Sequence, residues 1–125
     1  MKNNFPIPFK EEKKFSAKVV KGEGRGEKLG FPTINLDNVL LDIDYGIYLV
    51  EIEVANQKYL GLMHFGPKET FSGIISTEIF LRDHIENLTS ENINVFVKAK
   101  TREIIKFASA DELISQIKKD VENFL

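Results

Sequence analysis

The sequence contains no cysteine. That removes a disulfide scaffold, a thiolate zinc site and a cysteine nucleophile together, and it fits a reducing compartment. An excess of charge of one sign is missing too: 17 Lys and Arg stand against 19 Asp and Glu, a formal net charge of -2. A chain so balanced carries no electrostatic footprint for DNA, RNA or an anionic membrane. Any phosphate it binds has to be held locally. Long apolar runs are lacking as well. Residues 1–15 mix Pro6 and Pro8 with Lys10, Glu11, Glu12, Lys13 and Lys14, which makes neither a signal peptide nor a membrane span. They read as an arm over 1–14 leading into one domain over 15–125, and the protein reads as a cytoplasmic monomer. Histidine is scarce. His64 and His84 lack a helical metal-ligand spacing; His64 reads as a satisfied polar or barrel-lining residue, and His84, beside Asp83, as exposed.

What is present is mostly the period-two alternation of strands. Phe15, Ala17 and Val19 alternate with Ser16 and Lys18, and the strand ends at Lys21. In GIYLVEIEV, residues 46–54, one face carries Tyr48, Val50, Ile52 and Val54. Ala55, Asn56 and Gln57 make a turn, and 58–65 returns as the partner strand. Over 75–82, Ile75, Thr77, Ile79 and Leu81 share one face, and Ser76, Glu78, Phe80 and Arg82 the other. A polar connection leads to a further strand marked by Ile93, Val95, Val97 and Ala99. Only the end changes period. Ser109 with Glu112 is a capping box, and Leu113, Ile117, Val121 and Leu125, widened by Ile114 and Phe124, form an amphipathic helix. Lys118, Lys119 and Glu122 fall on its solvated face. Five or six short antiparallel strands and one helix hide their edges most readily by closing into a barrel.

The densest chemistry lies in residues 21–36, KGEGRGEKLGFPTINL. Alternate glycines after a strand turn backbone N–H groups toward one point, a nest for an anion; the other reading is a flexible loop joining strands. Neither the Walker A nor the Rossmann spacing fits Gly22, Gly24, Gly26 and Gly30. Lys21, Arg25 and Lys28 are the neighbouring positive charges. Pro32 stiffens the following run. In an extended segment, Thr33 and Asn35 face the same side. Two neutral oxygen ligands beside a phosphate nest suit Mg2+ when nucleotide phosphates and water complete its shell. Their alternative role is to satisfy backbone groups in a turn.

The run VVKGEGRGEKLGFPTINL, residues 19–36, closely resembles the signature of the riboflavin kinase family, including its Pro-Thr-x-Asn motif. The likeness continues in order through Gly46-Ile47-Tyr48, Gly61, Gly66 with Thr70-Phe71, and Thr77-Glu78-Ile79-Phe80-Leu81. It ends with Arg102-Glu103, Lys106-Phe107 and the helix segment containing Asp111-Glu112-Leu113, Gln116-Ile117 and Asp120. The resemblance implies a mainly β fold: a six-stranded antiparallel Greek-key-like barrel with a C-terminal α-helix. It implies phosphorylation of the riboflavin 5′-hydroxyl by ATP to give FMN, with Mg2+ or another divalent metal. Carried across, Thr33 and Asn35 correspond to the metal ligands. Lys21, Gly22, Gly24, Arg25, Gly26, Lys28, Pro32 and Thr33 correspond to the nucleotide and phosphate site, and Glu78 to the catalytic carboxylate.

The sequence departs from the family pattern at His64, where Asn is usual, and at Lys68-Glu69-Thr70, where Arg-Pro-Thr is common. Residues 85–90 stand where a Tyr-Gly dipeptide is usual. These regions border the flavin side more than the phosphate side. These 125 residues do not include the adenylyltransferase half found ahead of many such domains, so FAD synthesis is not expected of them. The competing reading is a non-catalytic barrel that holds a flavin or nucleotide as a sensor. A nucleic-acid-binding barrel is disfavoured by the near-neutral charge.

Overall fold

Alternation becomes six strands and one helix in the computed structural model, which describes residues 5–21, 30–37, 39, 41–67, 75–86, 88 and 91–125. The strands are β1 (Ile7–Val20), β2 (Thr33–Leu36), β3 (Gly46–Val54), β4 (Gln57–Pro67), β5 (Ile75–Leu81) and β6 (Asn92–Arg102), and the helix is α1 (Ala110–Phe124). They close into a barrel in the order β1-β2-β5-β4-β3-β6, with every pairing antiparallel. β3, β4 and β5 follow one another as hairpins, and β6 returns to lie beside β3. That is the Greek-key order. Closure leaves no edge strand among the described residues to recruit another chain.

Inward positions fill the barrel with Val19, Ile34, Leu36, Tyr48, Val50, Ile52, Met63, Ile79, Leu81, Ile93, Val95 and Val97, all buried. The tight β3–β4 connection places Ala55 at φ 51 and Asn56 at φ 62. Two left-handed central residues match the right-handed twist of the flanking strands. Tyr48 keeps its hydroxyl satisfied by donating to the Asp44 carbonyl at 2.7 Å. Burial, and then the negative charges of Asp44 and Glu103, push its phenol up to about 12.

β1 begins at Ile7, inside the segment that the sequence presents as an arm. Ile7 and Pro8 pair with Lys100 and Ala99, and after an irregularity Lys13 pairs with Val97. The charged run concealed this strand because its side chains at Glu12, Lys13 and Lys14 face water. Phe9 is the informative residue, stacking on Tyr48 with centroids 5.8 Å apart and planes 7° off parallel. The connection between β5 and β6 is likewise less polar than its composition. Leu88 is buried in the inner cluster and Ile85 packs against it.

Outside the barrel, α1 covers a second, smaller cluster of Phe80, Leu113 and Ile117, flanked by Phe31, Phe107 and Val121. Burying each of the two helical side chains stabilises by about 1.5–3 kcal/mol. Ser109 caps the helix by accepting from the Glu112 N–H at 3.3 Å. The return contact of the capping box is shifted by one residue: the Glu112 carboxylate accepts from the Ala108 N–H at 3.2 Å. Among the described residues no helix is long and apolar enough to cross a membrane.

The interior has no slack at Gly61. A Cβ there would lie 2.6 Å from Ile79 Cγ2 and 3.1 Å from the Phe80 carbonyl oxygen, and neither neighbour is a flexible tip. Gly61→Ala is therefore expected to destabilise by about 1–3 kcal/mol through overpacking. The urea midpoint should fall while the slope of the transition stays unchanged.

Candidate active site

The site follows from the barrel's inside–outside alternation. Ile34 and Leu36 point into the core, so Thr33 and Asn35 of β2 share the outward face, each half-buried. On β5, Ile79 and Leu81 point inward, which sends Glu78 and Phe80 outward. The antiparallel register sets Asn35 opposite Glu78 and Thr33 opposite Phe80. Opposed side chains of such a pair have Cβ atoms about 4.5–5.5 Å apart. A hydroxyl, a carboxamide and a carboxylate thus gather on one patch of rigid strand. Its hydrophobic border is Phe80, held beneath α1.

The patch continues sideways. Glu78 is also opposite His64 of β4, His64 is opposite Ile47 of β3, and Ile47 is opposite Arg102 of β6. Glu78 is only 5% exposed and His64 4%. Glu78 has thus lost its water although it lies on the outward face, and His64 lies on that face too, a satisfied polar residue and not one that lines the barrel. Two of its contacts join the ring to Pro67 and Ser76: Nε2 lies 2.8 Å from the Pro67 carbonyl oxygen and Nδ1 3.3 Å from Ser76 Oγ. His84, by contrast, is exposed.

The other sequence candidates divide. Lys21 is exposed, directly after Val20, which pairs with Asn35. Pro32 is half-buried, and its carbonyl accepts from the Leu81 N–H at 2.8 Å, carrying the β2–β5 ladder one step past Thr33. Gly22, Gly24, Arg25, Gly26 and Lys28 lie outside the described residues, as do Lys68, Glu69 and Thr70. Among the described residues no group of three or more His, Cys, Asp or Glu is arranged to hold a metal ion. The donors that fit one are the Thr33 hydroxyl and the Asn35 carboxamide oxygen. Hard neutral oxygens of this kind suit a magnesium ion that takes its remaining ligands from phosphate and water.

One feature of the site's surroundings was hidden in the sequence. Asp120 of α1 is 5% exposed and accepts from Arg102 Nε at 3.2 and 3.0 Å and from the Gln116 amide at 3.0 Å. A further guanidinium nitrogen of Arg102 lies 3.0 Å from Oδ2. This fork fixes the helix to the end of β6. The available signal was a carboxylate three residues after Ile117, on the apolar side of the helix.

Residues 9–125 match the family model described as Flavokinase, riboflavin kinase. The RNA-binding riboflavin kinase RibR of Bacillus subtilis (strain 168) is 40% identical over 105 residues, which cover 82% of this chain and 46% of that protein. The bifunctional riboflavin kinase/FMN adenylyltransferase of Escherichia coli (strain K12) is 35% identical over 108 residues, covering 84% of this chain and 34% of that protein. The crystal structure of a macrolide-efflux protein from Streptococcus pneumoniae matches with a TM-score of 0.74 at 34% sequence identity, over 89% of this chain and 38% of that one. The chain therefore spans less than half the length of these relatives.

Removing one member of the Arg102–Asp120 pair strands a desolvated charge. Asp120→Ala is expected to cost about 3–5 kcal/mol. Glu51→Ala, which removes the partner of the exposed Lys58 at 3.6 Å, should cost less than about 1 kcal/mol. Paired urea titrations of the two variants check the contrast.

Proposed function

The chain belongs to the riboflavin kinase family, and on that premise we propose that it transfers the γ-phosphate of ATP to the 5′-hydroxyl of riboflavin, giving FMN and ADP. The observation that carries this reading is the Asn35–Glu78 register pair with Thr33 two residues away. Phosphoryl transfer asks little covalent work of a protein. It asks for alignment, charge neutralisation and a destination for the hydroxyl proton.

Glu78 is the proposed destination. As the 5′-oxygen bonds to the γ-phosphorus, its proton passes to the Glu78 carboxylate, and the bond to the bridging oxygen of the β-phosphate breaks to release ADP. With 5% exposure, this carboxylate meets little bulk water that competes for the proton. Thr33 and Asn35 present their oxygens from one strand whose inward residues are locked in the core, so their positions are set before substrate arrives. They would hold Mg2+ or another divalent ion, which when bound offsets the phosphate charge. Lys21, Gly22, Gly24, Arg25, Gly26, Lys28 and Pro32 are the proposed phosphate-side surroundings, supported by the family likeness of that run.

The proposed setting is the cytoplasm, with the chain acting as a monomer on small-molecule substrates. RNA binding is said of RibR, of which this chain covers 46%. The near-neutral charge here offers no general field for a polyanion.

The test is FMN formation from riboflavin, ATP and magnesium, followed by chromatography. Glu78→Gln should lower kcat by about 10²–10⁴-fold with ATP affinity retained. Tight flavin binding with no FMN from the wild type would instead establish a non-catalytic sensor. In a separate metal titration, Thr33→Ala and Asn35→Ala should abolish metal-dependent turnover while the far-UV spectrum stays native. Wild-type turnover in either variant would remove the proposed metal site.

A further inference from the structure

The buried polar row beside the proposed base contains a group that phosphoryl transfer does not itself require. His64 sits opposite Glu78 in the β4–β5 ladder, on the same outward face, and both are buried. Its ring also bridges backbone and side chain at the adjoining ends of the two strands. A carbonyl oxygen can only accept, so the 2.8 Å contact to Pro67 requires a proton on Nε2. If the ring is neutral, Nδ1 is then the acceptor, and the Ser76 hydroxyl donates to it across 3.3 Å. Pro67 is the last residue of β4, and Ser76 is the second of β5. The ladder pair two residues on from His64 and Glu78 is fixed as well: Gly66, opposite Ser76, has φ +135 and no room for a Cβ between Ile104 and Tyr45.

We propose that His64 is a positioning residue for Glu78. Its imidazole ties Pro67 to Ser76 and so sets the spacing and direction of the strand that carries the carboxylate. It also occupies the lateral space into which that carboxylate would otherwise swing. It acts through Glu78 and not on substrate. A flat, stiff ring with acceptor and donor at opposite corners can do this, whereas an aliphatic side chain fills the space without holding either strand end.

This inference rests on the kinase reading for its kinetic arm, so the experiment has two arms. Gln places its amide nitrogen close to where Nε2 lies and can keep the shorter contact to Pro67; Leu keeps the volume and loses both contacts. In the kinetic arm, His64→Leu should lower kcat by about tenfold or more at unchanged KM for ATP, and His64→Gln should restore kcat to within about threefold of wild type. In the Glu78→Gln background, His64→Leu should cause no further loss, because a residue acting through the base has nothing left to position. Equal, additive losses in both backgrounds would overturn the proposal, as would full activity in His64→Leu.

The second arm needs no turnover. In the ligand-free protein at one fixed pH, the ¹³Cδ resonance of Glu78 should move in His64→Leu and return toward wild type in His64→Gln. A resonance indifferent to His64 overturns the proposal even if FMN forms. A resonance that responds, in a protein that makes no FMN, upholds the positioning and overturns only the kinase reading. Where His64→Leu fails to fold, His64→Met takes its place, since Met fills a similar volume and offers no N–H to the Pro67 carbonyl.

Discussion

The pairing of β2 with β5 is the constraint on which the rest depends. Ile34 and Ile79 must face each other inside a closed barrel, and in an antiparallel ladder that obliges Asn35 and Glu78 to face each other outside it. A slip of one residue would drive the carboxylate and carboxamide into the hydrocarbon interior and expose the isoleucines. Register is thus enforced by the whole inner cluster, and the functional groups inherit their accuracy from apolar packing. No local interaction among the polar groups could do so as firmly.

The same economy explains the position of the helix. A barrel of this size already buries one face of each strand, and α1 buries part of the other face over Phe80. Beside it runs the stretch Asn35, Glu78, His64, Ile47 and Arg102 along the neighbouring strands, of which Glu78, His64 and Ile47 are buried. The Arg102–Asp120 fork closes one end of that stretch. Buried ion pairs seldom add net stability over an apolar replacement, but they penalise misplacement heavily. Here the pair fixes where the helix lies along the barrel, and hence which outward residues it covers.

The tight interior matters to the outer face for a related reason. Gly61 faces the core between Val50 and Leu81 in register, and the side chain of Ile79 occupies the space its own would need. β4 and β5 are therefore drawn close at mid-strand, while His64 ties their ends three residues on. Both faces of the β4–β5 pair hold Glu78 in place, the inner one by contact and the outer one by hydrogen bonds.

The sequence by itself determined the elements and their faces. Period two set out the strands over 46–54, 75–82 and 93–99, Ser109 and Glu112 marked the helix start, and the i, i+2 spacing put Thr33 and Asn35 on one side. The riboflavin kinase likeness of residues 19–36 was equally open to reading, because glycine spacing and Pro-Thr-x-Asn are local facts. Strand residues before Phe15 were not legible, since their partner β6 lies far along the chain and their outward side chains at Glu12, Lys13 and Lys14 are charged. Leu88 in the core, Asp120 under the helix and the burial of Glu78 and His64 were hidden for the same reason. Alternation tells which residues share a face, but only closure of the barrel and docking of α1 decide which outward face loses its water.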